Sequence, residues 1–226
     1  MKAAVCSGFH KFVSCIYNDT SSKKYNALLF NSAVHTADTI FIGDNMAVST
    51  ATLAGGCFWC IEAAFNSLHG VIKATSGYTG GLTKSPIYQT VCTGRTGHAE
   101  AVQITFDDQQ ISYQELLTVF FSLHDATQFN RQGNDIGTQY RSAVFYHDLN
   151  QKETAEGFIL ELNAEQYGKG EIQTTVNAAD TFYTAEDYHQ EYFLKNPTQG
   201  YCRMVVSPKL DKFKEKYRTK LKTENN

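Results

Sequence analysis

The 226-residue sequence is poor in proline (three) and tryptophan (one), and no apolar run in it approaches the length of a membrane span. Its six cysteines, Cys6, Cys15, Cys57, Cys60, Cys92 and Cys202, are irregularly spaced, which excludes the dense disulfide framework of a small secreted domain. Cys57-x-x-Cys60 lacks a second close pair of Cys or His ligands, so no structural zinc is expected. A net charge of −3 argues against nucleic acid or an anionic membrane surface as partner. Lys and Arg do gather from Lys209 to Lys222, but Asp and Glu interleave there, as on a solvated helix face. The first 45 residues contain no arginine, unlike a mitochondrial presequence, and His10 and Lys11 interrupt the one candidate signal-peptide core. No repeat of solenoid length is present. The remaining expectation is one globular domain over residues 46–226, preceded by a poorly ordered extension over residues 1–45, unless translation begins at Met46.

The most informative stretch is Leu53-Ala54-Gly55-Gly56-Cys57-Phe58-Trp59-Cys60-Ile61-Glu62. A β-rich run ends in two glycines, then a cysteine, then the helical periodicity of Phe58, Ile61, Phe65 and Leu68. Paired glycines allow a tight turn and close approach of a ligand to the backbone. Cys57 is therefore expected at a helix N-terminus, where unpaired N–H groups and the dipole favour a thiolate of lowered pKa. This pattern suits a nucleophile in a reducing, cytoplasmic setting; the alternative is a pair of buried, inert cysteines.

From Met46 onward the elements alternate. Strands are expected at Val48–Leu53, Val71–Tyr78, Ala99–Phe106 and Ser142–Tyr146, with helices over Phe58–Leu68 and, behind the capping box Ser112-x-x-Glu115, through Leu123. This order predicts an α/β (α+β) fold with a ferredoxin-like split βαβ core, further helices and long coils. A helix near Lys152–Tyr167, a strand at Ile172–Val176, a helix capped by Thr184-x-x-Asp187 and a last helix with Ser207 as cap and Pro208 first complete the expectation.

Two further segments carry chemistry. In Ala99–Phe106, period two places Glu100 on the face of Val102, Ile104 and Phe106. A carboxyl group against an apolar layer resists ionisation and suits a general acid; an edge position with Glu100 reaching water is the alternative. The polar loop Thr127–Arg141 is long enough to be functional and can present Asp135 and Tyr140 to a cleft, or simply cap itself at the surface.

Gly55-Gly56-Cys57-Phe58-Trp59-Cys60, Gly97-His98-Ala99-Glu100, Arg131 through Arg141, and Ala185-Glu186-Asp187-Tyr188-His189-Gln190 together resemble the A-type peptide-methionine (S)-S-oxide reductases, over roughly Leu53 to Val206. The resemblance implies repair of oxidised methionine, protein-bound and free, for one sulfoxide epimer, by a monomer that needs no cofactor and is recycled by thioredoxin or a similar dithiol. It assigns attack on the sulfoxide sulfur to Cys57 and proton donation to Glu100. Tyr88 and Tyr140 bind the oxide, and Asp135 shares the pocket. Phe58 and Trp59 hold the S-methyl group. It also implies a resolving cysteine near the C-terminus, matched by Cys202, whose flanking Gly200, Pro197 and Pro208 suit an extended, movable segment. Cys60 is the rival, since positions i and i+3 on a helix are neighbours. Cys202 is the preferred first resolver, Cys60 the second, and Cys92 is read as structural. A thioredoxin-like oxidoreductase is disfavoured because its tryptophan would precede the first cysteine, and a metal-binding module because the second ligand pair is missing.

Overall fold

The computed structural model describes residues 47–165 and 170–223, so the expectation for residues 1–45 lies outside it. Strand β1 (Val48–Gly55) leads through α1 (Phe58–Asn66) to β2 (Val71–Thr79). A short helix, α2 (Tyr88–Val91), precedes β3 (Ala99–Asp107), which leads through α3 (Tyr113–Leu123) and the small hairpin β4 (Arg131–Gln132) and β5 (Asp135–Ile136) to β6 (Ser142–Tyr146). Then come α4 (Leu149–Ala164), β7 (Thr175–Ala178), β8 (Tyr183–Thr184), α5 (Tyr192–Lys195) and α6 (Ser207–Lys216).

The main sheet has the order β7-β6-β1-β3-β2-β8. Its centre, β6-β1-β3-β2, is antiparallel throughout, with Ala51 opposite Ile104 and Leu53 opposite Val144. Interleaving two strand-helix-strand units gives this arrangement, and it is the α/β core expected from the element order.

The two faces of the sheet differ in side-chain size. Leu53, Val102, Ile104 and Val144 pack with Ile61, Phe65, Leu116 and Phe120 of α1 and α3 in the main core, all at most 1% exposed. Each such side chain contributes about 1.5–3 kcal/mol relative to exposure. Ala54, Ala99, Ala101 and Ala143 form a second cluster with Phe145, against which Ala179 and Phe182 pack. Small residues here let a coil lie close to the sheet. Gly77 serves the same purpose on β2: a Cβ there would stand 2.5 Å from the Tyr183 carbonyl oxygen, so glycine lets β8 dock.

The capping box of α3 forms as expected: the Glu115 N–H donates to Ser112 Oγ at 3.2 Å and the Ser112 N–H to Glu115 Oε2 at 2.9 Å. Four local expectations need correction. α4 starts at Leu149 because Asp148 accepts the Gln151 N–H at 2.8 Å and caps it. The expected strand at Ile172–Val176 begins only at Thr175, where it pairs in parallel with Ala143. Thr184 caps no helix: it pairs with Gly77, and the chain then makes a single 3₁₀ turn at Asp187–His189 before α5. Ser207 does not cap the last helix, because a π-helical turn over Cys202–Val206 runs straight into it. Pro208 has no N–H for the preceding turn, and the widened turn accommodates the missing bond.

Candidate active site

β1 ends in the Gly55-Gly56 turn that delivers Cys57 to the N-cap of α1, with φ −59° and ψ 120°. Gly56 has φ +93°, and a Cβ on it would stand 2.8 Å from the Gln132 side chain. Gln132 is itself fixed, taking the Asp125 N–H on Oε1 and giving Nε2–H to the Asp125 carbonyl, both at 3.1 Å. In the hairpin Gln132 pairs with Asp135, so the residue that presses on the glycine turn also sets the position of Asp135.

Glu100 reaches the start of α1 from the helix-covered face of β3. It is 2% exposed, and its Oε2 accepts the Phe58 N–H at 3.1 Å. Burial pushes its carboxyl well above the usual range, charge on Cys57 adds to this, and the Phe58 N–H offsets part of it.

Burial likewise pushes the Cys57 thiol up, as does charge on Cys60, and the Trp59 N–H and Tyr201 hydroxyl only partly oppose them. The position of Cys57 matches the sequence expectation, but the direction of its pKa does not: desolvation by burial outweighs the helix terminus. Cys60 is buried, and its interaction with the Cys57 thiol holds Cys60 lower.

An aromatic wall lies beside the sulfur. Trp59 donates Nε1–H to His189 Nδ1 at 3.1 Å, stacks on Tyr192 with centroids 3.9 Å apart, and meets Tyr201 edge-on at 5.9 Å. Phe58 packs on His189 and Tyr78. Tyr88 is placed by Glu186, whose Oε1 accepts the Tyr88 N–H and whose Oε2 accepts the Tyr78 hydroxyl, each at 2.8 Å. Tyr140 comes from the 3₁₀ turn after the hairpin. Burial raises both the Tyr88 and Tyr140 phenols, so they stay protonated and able to donate.

Cys57, Phe58, Trp59, Tyr88, Glu100, Asp135 and Tyr140 all line one cleft of about 270 Å³, joined by Gln199 and Tyr201. Tyr201 donates to Asp135 Oδ2 at 2.6 Å. Its proximity to the cleft had one sequence signal, its place beside Cys202. His189 lay within a quoted motif without a role. Cys202 lies in the π-helical turn, fully buried, with its N–H on Gln199 Oε1 at 3.0 Å. The segment expected to be extended is thus helical here. Cys202 is near enough for its charge to interact with those of Cys57 and Cys60. Cys92 is exposed at the end of α2, its thiol against the Tyr88 hydroxyl.

Fold and cleft together define an oxidoreductase on an α/β scaffold. The chain belongs to the peptide methionine sulfoxide reductase family, whose model matches residues 49–222. It is 51% identical over 173 residues to the peptide methionine sulfoxide reductase MsrA of Natronomonas pharaonis, covering 76% of this chain and 97% of that protein. Among solved structures it is similar to reduced Mxr1 of Saccharomyces cerevisiae, at 34% identity and a TM-score of 0.63 over 69% of this chain and 89% of that one. Methionine sulfoxide reductase A of Corynebacterium diphtheriae matches at 37% identity and a TM-score of 0.61 over 72% and 80%. Among the described residues, no helix is long and apolar enough to cross a membrane.

Proposed function

We propose that this enzyme reduces the S epimer of methionine sulfoxide, free and in peptides and proteins, to methionine, with thioredoxin or a similar dithiol as reductant. The observation that carries this reading is the meeting of the N-cap cysteine Cys57 with the buried Glu100 carboxyl, bonded to the adjacent N–H at 3.1 Å. A sulfoxide pairs a strongly polar oxygen with apolar substituents on sulfur. Glu100, Tyr88 and Tyr140 supply donors for the oxygen, and Phe58 and Trp59 supply an apolar, polarisable wall for the methyl group.

The Cys57 sulfur attacks the sulfoxide sulfur while Glu100 gives its proton to the oxygen. The proton lost by Cys57 returns to Glu100, and the hydroxyl passes to the Cys57 sulfur. Thiol and sulfoxide become sulfenic acid and thioether; two electrons leave the cysteine sulfur for the substrate. Burial pushes the Cys57 thiol up, so its proton leaves as the attack proceeds rather than before it. Asp135 keeps Tyr201 turned toward the cleft.

Cys60 is the better-placed first resolver, because it lies one turn along α1 from Cys57 and the two buried thiols shift each other's titration. Its attack forms the S–S bond and releases the sulfenic hydroxyl as water. Cys57 is an N-cap with non-helical backbone angles, which relieves the strain expected of a bridge within one turn. Cys202 then exchanges into this disulfide and passes it to the dithiol reductant, the reverse of the order preferred from sequence. The proposed enzyme works as a monomer in the reducing cytoplasm, which returns these thiols to use.

Separate S and R epimers of a blocked methionine sulfoxide, assayed with dithiothreitol and then with thioredoxin and its reductase, test this reading. Turnover of the S epimer alone is expected. Equal use of both epimers, or no turnover with dithiothreitol, would overturn it.

A further inference from the structure

Glu62 is the one carboxylate on α1, lies outside the cleft and is 1% exposed. Burying an ionisable group is costly unless it is paired and hydrogen-bonded. Its Oε2 accepts the backbone N–H of Glu191 at 2.9 Å. Glu191 has φ +54° and ψ 34°, a left-handed conformation that a side-chain-bearing residue holds only when its surroundings enforce it. The next residue is Tyr192, whose ring lies on Trp59 at 3.9 Å and 11°.

The neighbouring bonds make this a closed circuit. Trp59 and Glu62 sit on one helix; Trp59 holds His189 through Nε1–H, and Glu62 holds Glu191. Between them Gln190 is tied to β2, accepting the Ser76 N–H at 3.2 Å and donating to the Ser76 carbonyl at 3.0 Å. The segment that backs Trp59 is thus pinned at three successive residues, and Glu62 supplies the pin at the strained one.

We propose that Glu62 is a positioning residue: by holding Glu191 left-handed it lays Tyr192 flat on Trp59 and so fixes the aromatic wall of the cleft. Its effect on substrate rests on the proposed role of Trp59 as the wall for the methyl group. Burial pushes the Glu62 carboxyl up to about 7, consistent with a group retained at a cost. Glutamine keeps an acceptor for the Glu191 N–H; alanine does not.

Trp59 is the only tryptophan in the chain, so its fluorescence reports on the wall directly. Glu62→Ala should shift Trp59 emission, make it more accessible to acrylamide, and raise KM for a methionine sulfoxide peptide by about tenfold with kcat little changed. Glu62→Gln should stay near wild type in both readouts. A folded Glu62→Ala with unchanged emission, quenching and KM would overturn the proposal. Altered fluorescence with unchanged KM would uphold the positioning role and refute Trp59 as the methyl wall. If Glu62→Ala does not fold, Glu62→Met fills the same space without an oxygen acceptor and must displace Trp59 equally; undisturbed fluorescence there overturns the proposal.

Discussion

Tyr201 donates its hydroxyl to Asp135 at 2.6 Å, tying the residue before Cys202 to the hairpin that backs the Gly55-Gly56 turn. A phenol has one proton, so the Cys57 thiolate competes with Asp135 for it, and the hydroxyl favours that thiolate when it turns to the sulfur. Tyr201→Phe should therefore slow alkylation of Cys57 by iodoacetamide at pH 8, by about two- to tenfold for one lost charge-assisted bond. Equal alkylation rates in the two proteins, followed by peptide mass spectrometry, would show that the phenol does not act on the sulfur.

Glu100→Gln should lower the single-turnover rate of methionine formation by about 10²–10⁴-fold while the fold survives, because the amide cannot give the proton. Its effect on stability has the opposite sign. The folded-state pKa of Glu100 is raised, so its contribution is intact below about 4.3, the unfolded value, and is lost as pH rises. Near neutral pH the variant should melt at a higher temperature than wild type. Chemical quench and thermal melts at pH 7.5 check both halves.

The cysteine order is read from the enzyme stopped after one equivalent of sulfoxide. Cys202→Ser should trap a Cys57–Cys60 disulfide and lose turnover with thioredoxin while dithiothreitol still supports it. Cys60→Ser should accumulate sulfenic acid on Cys57, or form a Cys57–Cys202 link more slowly than wild type turns over. Peptide mapping that finds Cys57–Cys202 first in the wild type would restore the order preferred from sequence.

His124 sets an acid limit to stability. It is buried beneath Gly55, gives Nδ1–H to the Phe120 carbonyl at 2.9 Å and takes the Ser142 hydroxyl on Nε2 at 2.7 Å. Burial drives its pKa down to about 4. A depressed folded value means that the stability is present above the unfolded value near 6.5 and is lost as pH falls through 4, about 3 kcal/mol in all. Thermal melts should decline from pH 6.5 to 4, and His124→Gln should flatten that limb even if it lowers stability overall.

Local signals carried most of what the sequence revealed. The glycine pair placed Cys57, Ser112 and Glu115 formed their box, and period two put Glu100 on the helix-covered face. The rest depended on partners far along the chain. Tyr192 and His189 meet Trp59 across more than a hundred residues, which no spacing rule reveals. The raised Cys57 thiol has the same cause: a helix terminus can be read locally, whereas burial is a property of the assembled fold. Thr184 misled because an S/T-x-x-D pattern also fits a strand end, and Gly77 opposite it decided the outcome.

The widened turn over Cys202–Val206 has a mechanical meaning. A π turn carries an extra residue over the same advance along the axis, so it holds a slack of about one residue's rise, ~1.5 Å. Pro208 lies just beyond and offers no N–H that would have to be surrendered when this slack is drawn out. In the proposed recycling, drawing out this slack would carry Cys202 toward the other two sulfurs while α6, anchored by Leu210 and Phe213 in the core, stays where it is.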